Sequence, residues 1–199
     1  MKELQKHYKL FKPYGILSQF HSNAPREKHK KRFLGELFDF PEGIMPVGRL
    51  DEKSEGLLLL TSDGDLSYKI NNSGLEKEYW AQLDGIITIE AIQKLRKGVD
   101  IGFSGQIYRT KPCKARILDK APKLPPASNK IRIGRHRPNS WISITLTEGK
   151  FRQVRKMTAS VGFPTLRLIR SRIGTIHLND LSPGQVEKII IDMDSLKES

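Results

Sequence analysis

The chain has 199 residues, enough for one substantial core or for two small sub-domains sharing a sheet. Its 35 Lys and Arg against 22 Asp and Glu leave a formal charge of +13, which points to a polyanionic partner, nucleic acid above all. A single cysteine, Cys113, excludes an intrachain disulfide; no Cys or His cluster has zinc spacing, and no segment resembles a secretory leader or reaches membrane-spanning length, so a cytoplasmic location is expected.

His7 to Lys12 (HYKLFK) alternates as a strand and stops at the turn signal Pro13-Tyr14-Gly15. Ile16, Leu17 and Phe20 are read as continuing the sheet. From His21 to Arg32 apolar periodicity vanishes and five basic residues face one Glu, which predicts a basic loop able to meet phosphates, although a solvated charge run is the commoner origin of such a stretch. Phe33, Leu34, Leu37 and Phe38 have helical spacing, predicting one or two turns before Pro41.

The stretch from Gly48 to Asp65, GRLDEKSEGLLLLTSDGD, joins a charged turn to four consecutive leucines. The leucine run, Leu57 to Leu60, fits a strand buried on both faces. With Ile44, Met45 and Val47 upstream, Asp51 stands between two pieces of core, where a reactive group would be held stiffly. Taken alone, such an Asp is more often a turn or helix cap. Asp63 and Asp65 then open a short helix over LSYKINN.

Glu76 to Asp84 alternates again, with Tyr79, Ala81 and Leu83 on the core-facing parity and Trp80 on the other. Thr88 to Gly98 reads as a helix with a Thr cap, a glycine stop and an apolar stripe of Ile89, Ile92 and Leu95. Strand-like pieces follow at Gly105 to Arg109 and Lys114 to Leu118. Ala121 to Asn139, with four prolines and with Lys130, Arg132, Arg135 and Arg137, predicts an extended basic loop; Trp141 to Thr147 predicts a strand.

After the break at Glu148-Gly149, Lys150 to Val161 reads as a helix in which Phe151, Val154 and Val161 share an apolar stripe while Arg152, Arg155 and Lys156 group beside it. Such a basic face suits phosphate oxygens. TLRLIRSRIG, from Thr165, reads as a strand whose parity sets Arg170 in an apolar row behind Leu166 and Leu168. A guanidinium there needs an anionic partner to offset its desolvation, and Asp51 is the candidate; a purely structural ion pair is the alternative.

Four sequence elements, in order, resemble RNA pseudouridine synthases of the RsuA type, and within them the large-subunit ribosomal RNA branch designated E. They are Phe11-Lys12-Pro13-Tyr14-Gly15; Gly48-Arg49-Leu50-Asp51 with Ser54, Gly56 and Leu57; Lys77-Glu78-Tyr79; and Glu148 to Met157 with Leu168-Ile169-Arg170 and Ile173-Gly174. Phe11 stands where the family often has Asn, and the first element begins too early to leave room for the N-terminal S4 domain of many relatives. The resemblance implies a single α/β (α+β) catalytic domain over 1–199, with a central mixed, mostly antiparallel sheet, flanking helices and a basic cleft. It implies isomerisation of one uridine to pseudouridine in large-subunit (23S) ribosomal RNA, with no step that needs a metal, nucleotide or redox cofactor; a monomer is expected.

By the same resemblance Asp51 is the catalytic carboxylate, Arg170 the cation that keeps it ionised, and Tyr79 the ring that stacks on the target base. Arg49 would fill the space left by the flipped nucleotide, and Lys12, Lys150, Arg152, Arg155, Lys156 and Arg167 would contact RNA. The competing expectation from another class is a non-catalytic ribosome-assembly factor that keeps the fold and the basic surface. A DNA-binding module is disfavoured because no helix-turn-helix or zinc-finger pattern is present.

Overall fold

The computed structural model describes residues 5–25, 30–131, 133–134 and 137–197. In chain order its elements are β1 (His7–Lys12), β2 (Met45–Val47), β3 (Glu55–Thr61), α1 (Gly64–Asn72), β4 (Lys77–Asp84), α2 (Ile89–Lys97), β5 (Asp100–Phe103) and β6 (Gln106–Arg109). They continue with β7 (Lys114–Leu118), β8 (Asn139–Leu146), α3 (Gln153–Ser160), β9 (Thr165–Ile173), β10 (Ile176–His177) and β11 (Val186–Ile189). This is the expected mixed class of strands and helices, and the pairings β1–β3, β1–β11, β2–β3, β4–β8 and β7–β8 are all antiparallel. Among the described residues no helix is long and apolar enough to cross a membrane. Of the predicted basic loops, Arg26, Lys28, Arg132 and Arg135 lie outside the described residues.

The chain divides into two compact units, Met1–Leu75 with Arg170–Ser199, and Glu76–Ile169. The first is built on β3, every residue of which is buried. β1 pairs along its whole length, from His7↔Thr61 to Lys12↔Gly56, and β2 pairs with it from Met45↔Thr61 to Val47↔Leu59. Leu58 and Leu60 enter a core with Tyr8, Leu10, Ile16, Leu34 and Ile44, and Leu57 and Leu59, on the other parity, are equally sealed. Burial on both faces is why the sequence shows a run rather than an alternation, and each leucine contributes about 1.5–3 kcal/mol by leaving water. Asp63 caps α1 by accepting from the Leu66 N–H at 3.0 Å.

Two expectations are met only in part in this unit. Ile16 makes only a single bridge, to Arg32, and Phe20 packs edge-on to Phe40 with centroids 5.4 Å apart instead of extending a strand. The predicted helix at 33–38 shrinks to one 3-10 turn, Leu34–Glu36, because Phe38 joins Phe40 and Tyr8 in an aromatic cluster that a regular helix would have separated.

In the second unit β4 pairs with β8 from Lys77↔Leu146 to Asp84↔Asn139, and β7 lies along β8. Thr88 caps α2 by accepting from the Ala91 N–H at 3.3 Å, but the buried stripe is Ala91, Ile92 and Leu95. Ile89, expected in that stripe, is at the first helical position and points outward, 60% exposed. Gly98 ends the helix at φ +84°, where a Cβ would sit 2.2 Å from the Thr110 carbonyl oxygen, so no other residue fits. The last predicted helix starts at Gln153, later than expected, which leaves Phe151 outside the apolar stripe and 67% exposed.

Candidate active site

Asp51 lies in the loop that joins β2 to β3, and the backbone on both sides of it is pinned. The Ser18 hydroxyl donates to the Leu50 carbonyl at 2.8 Å and accepts from the Leu50 N–H at 3.0 Å. The Gly15 N–H donates to the Glu52 carbonyl at 2.8 Å, and the Ser54 N–H closes a turn onto the Asp51 carbonyl at 3.0 Å. Glu52 is further tied to Lys31, Nζ to Oε2 at 2.7 Å. At the loop entrance Gly48 has φ +67° and its missing Cβ leaves room for Asn71 Oδ1, 2.8 Å from where it would stand. Asp51 itself is half-buried. Such a carboxylate is aimed by its support rather than by its own rotamer freedom.

Two cations stand in the interior of the same unit. Arg170, 3% exposed on β9, donates from Nε to the Leu57 carbonyl at 2.8 Å, and its Nη2 is buried without a hydrogen-bond partner among the described residues. Lys12 closes β1 with no exposure and donates from Nζ to the carbonyls of Ile16 at 2.7 Å and Pro13 at 3.0 Å. Burial drives its pKa down to about 7, against the opposing pull of Glu55, Asp51 and Glu52, while Arg170 lowers it further. The Lys12 ammonium therefore feels both Asp51 and Arg170.

Lys12 was expected at phosphates, and its placement corrects this: an amine sealed in the interior and bound to two carbonyls cannot reach an RNA backbone. The parity of β1 carried the signal, since Lys12 continues the row of Tyr8 and Leu10. Across the ladder it meets Gly56, which has no side chain to compete for the space. Arg167 needs the same correction, being 4% exposed and donating from Nη1 to the Pro125 carbonyl at 3.1 Å. Arg49, by contrast, is exposed.

In the second unit Tyr79 sits on β4 opposite Ile144, half-buried against a core that includes Ala81, Leu83 and Ile142. Around the start of α3, Lys150, Arg152, Arg155 and Lys156 are all partly exposed. Arg155 donates to the Thr165 carbonyl at 3.2 Å and Lys156 to the Gly102 carbonyl at 2.7 Å. Glu148, which sequence reasoning treated as a strand breaker and as the first residue of a family-like element but gave no role, orders this region. Its carboxylate accepts from the Tyr108 hydroxyl at 2.5 Å, the Lys111 N–H at 2.9 Å and the Gln153 amide at 2.6 Å. Burial pushes its pKa up, but these hydrogen bonds outweigh that and leave it below the usual carboxylate value. Cys113 is not a nucleophile at neutral pH, because burial pushes its thiol up to about 11.

A family model described as RNA pseudouridylate synthase matches residues 7–160. "Ribosomal large subunit pseudouridine synthase E" of Xanthomonas axonopodis pv. citri (strain 306) is 44% identical over 176 residues, covering 87% of this chain and 88% of the relative. The protein of the same name from Vibrio parahaemolyticus serotype O3:K6 (strain RIMD 2210633) is 41% identical over 180 residues, covering 89% and 71%. A solved structure described as "Crystal structure of pseudouridylate synthase" superposes with a TM-score of 0.74 at 27% identity, covering 94% of this chain and 71% of that one.

Proposed function

This chain belongs to the RNA pseudouridylate synthase family, and from that premise we propose that it isomerises a uridine of large-subunit ribosomal RNA with Asp51 as the working carboxylate. The reaction breaks the N1–C1′ bond, turns the freed base, and joins C5 to C1′. C5 then gives up its proton and N1 ends with one, so atoms balance without a co-reactant. A carboxylate meets the need at C1′, where it stabilises or traps the positive character left when the glycosidic bond opens. The observation that carries this assignment is the pinned Asp51 loop together with a buried ammonium, Lys12, that senses both Asp51 and Arg170.

Tyr79 is assigned to stacking on the target base, a contact worth roughly 1–3 kcal/mol. The uridine must leave its stack for the glycosidic bond to be reached, and Arg49 is assigned to the space it vacates. Lys150, Arg152, Arg155 and Lys156 are assigned to phosphates, which orient the RNA without reading its sequence. In this proposal the enzyme works as a monomer in the cytoplasm, where ribosomal RNA is its substrate.

Forming the C5–C1′ bond expels the hydrogen on C5, so a large-subunit RNA transcript carrying tritium at uridine C5 reports the reaction directly. Wild type is expected to release tritium to water, and Asp51→Asn to do so slower by about 10³-fold or more while still binding the transcript. Equal release by both proteins removes the assignment of Asp51.

A further inference from the structure

The aromatic residues around β5, β6 and the start of α3 have no part in the chemistry above. Phe151, in the turn ahead of α3, leaves 67% of its surface in solvent, and Ile107 on the neighbouring hairpin leaves 82%. Lys156 Nζ stands 5.5 Å from the Phe151 ring centroid and 5.8 Å from that of Phe103. Lys150 Nζ stands 5.3 Å from Phe103 and 5.0 Å from Tyr108, and those two rings meet edge to face at 6.1 Å. The hydrogen bonds of Glu148 to Tyr108, Lys111 and Gln153 fix this frame from beneath. Among the described residues no carboxylate lies within 4.0 Å of either ammonium. Two lysines are thus held on aromatic rings beside an open phenyl face, with their charge left for a ligand.

We propose that Phe151, flanked by Lys150 and Lys156, is a stacking platform for an unpaired nucleobase of the RNA, outside the target uridine. The choice of RNA as the polymer rests on the function proposed above. An exposed ring offers any base a π-face, and the ammonium groups of Lys156, over that ring, and of Lys150, over Phe103 and Tyr108, are there to meet neighbouring phosphates. A duplex hides its bases and satisfies only the ammonium groups, so the platform discriminates single strand from duplex.

The test measures fluorescence anisotropy of a labelled, unstructured oligoribonucleotide and of the same strand annealed to its complement. Phe151→Leu, which keeps apolar bulk and removes the π-face, is expected to weaken single-strand binding about 5- to 100-fold and to leave duplex binding unchanged. Phe151→Trp, with a larger face, is expected to bind the single strand at least as tightly as wild type. Wild-type affinity in Phe151→Leu overturns the platform, as does an equal loss for strand and duplex. These outcomes separate from the activity of Asp51: a wild type that forms no pseudouridine but loses single-strand affinity on Phe151→Leu would end the catalytic assignment and keep the platform.

Discussion

Placing an amine with no solvent exposure at the end of β1 costs stability that its anionic neighbours only partly offset. Lys12 is that amine, its pKa lowered to about 7 by desolvation and held from falling further by Glu55, Asp51 and Glu52. Below pH 7 both the folded and the unfolded chain carry the Lys12 proton, and the full cost of burial is present. Between pH 7 and the unfolded value of about 10.4 the folded chain releases the proton while the unfolded chain keeps it, so this residue makes stability rise with pH. Urea unfolding at pH 6 and pH 9 is therefore expected to show wild type gaining about 3 kcal/mol more than Lys12→Met over that interval, at 1.36 kcal/mol per pH unit between the folded pKa of about 7 and pH 9. Identical pH profiles would mean that Lys12 keeps its proton when folded, as an amine that reaches water does. At this scale strand parity singled out Arg170 and, as its candidate partner, Asp51, whereas Tyr79 stood out only through its motif. Composition hid the depth of Lys12 and Arg167, because a basic residue in a short strand counts the same whether it points inward or out; for Lys12 the parity of β1 held the signal.

The element that carries Asp51 is the loop between β2 and β3, and Ser18 tethers it from outside through two hydrogen bonds to Leu50. Ser18→Ala removes both hydrogen bonds to Leu50 and leaves that buried backbone unsatisfied, which should cost about 1–3 kcal/mol. Turnover of the tritiated transcript should fall more than RNA affinity does, since the loop aims the carboxylate rather than holding the polymer; a fall in affinity alone would contradict this. β3 was legible because four leucines in a row admit few other fates, and α1 and α2 because their caps are spelled out by Asp63 and Thr88. β10 and β11 were not foreseen: Val186–Ile189 is only partly buried on the margin of β1, so its apolar pattern is faint. Helical spacing at 33–38 yields only a single 3-10 turn, since Phe38 serves an aromatic cluster with Tyr8 and Phe40.

Over the whole molecule, a charge of +13 makes RNA binding depend on counterion release. The logarithm of affinity should fall with the logarithm of salt, and Arg49→Gln or Lys150→Gln should each flatten that slope by about 0.7 for a single-stranded contact. An unchanged slope would place that residue away from phosphate. Sequence order alone does not reveal that the chain leaves its first unit after Leu75 and rejoins it at Arg170, which returns Arg170 to the unit that holds Asp51. Strand parity marked Arg170 as a buried cation; only the fold supplies its company. The most direct measurement is a pseudouridine map of ribosomal RNA from cells lacking this protein, complemented with wild type or with Asp51→Asn. One large-subunit position should lose its pseudouridine and regain it with wild type alone; restoration by Asp51→Asn would contradict the role given to that carboxylate.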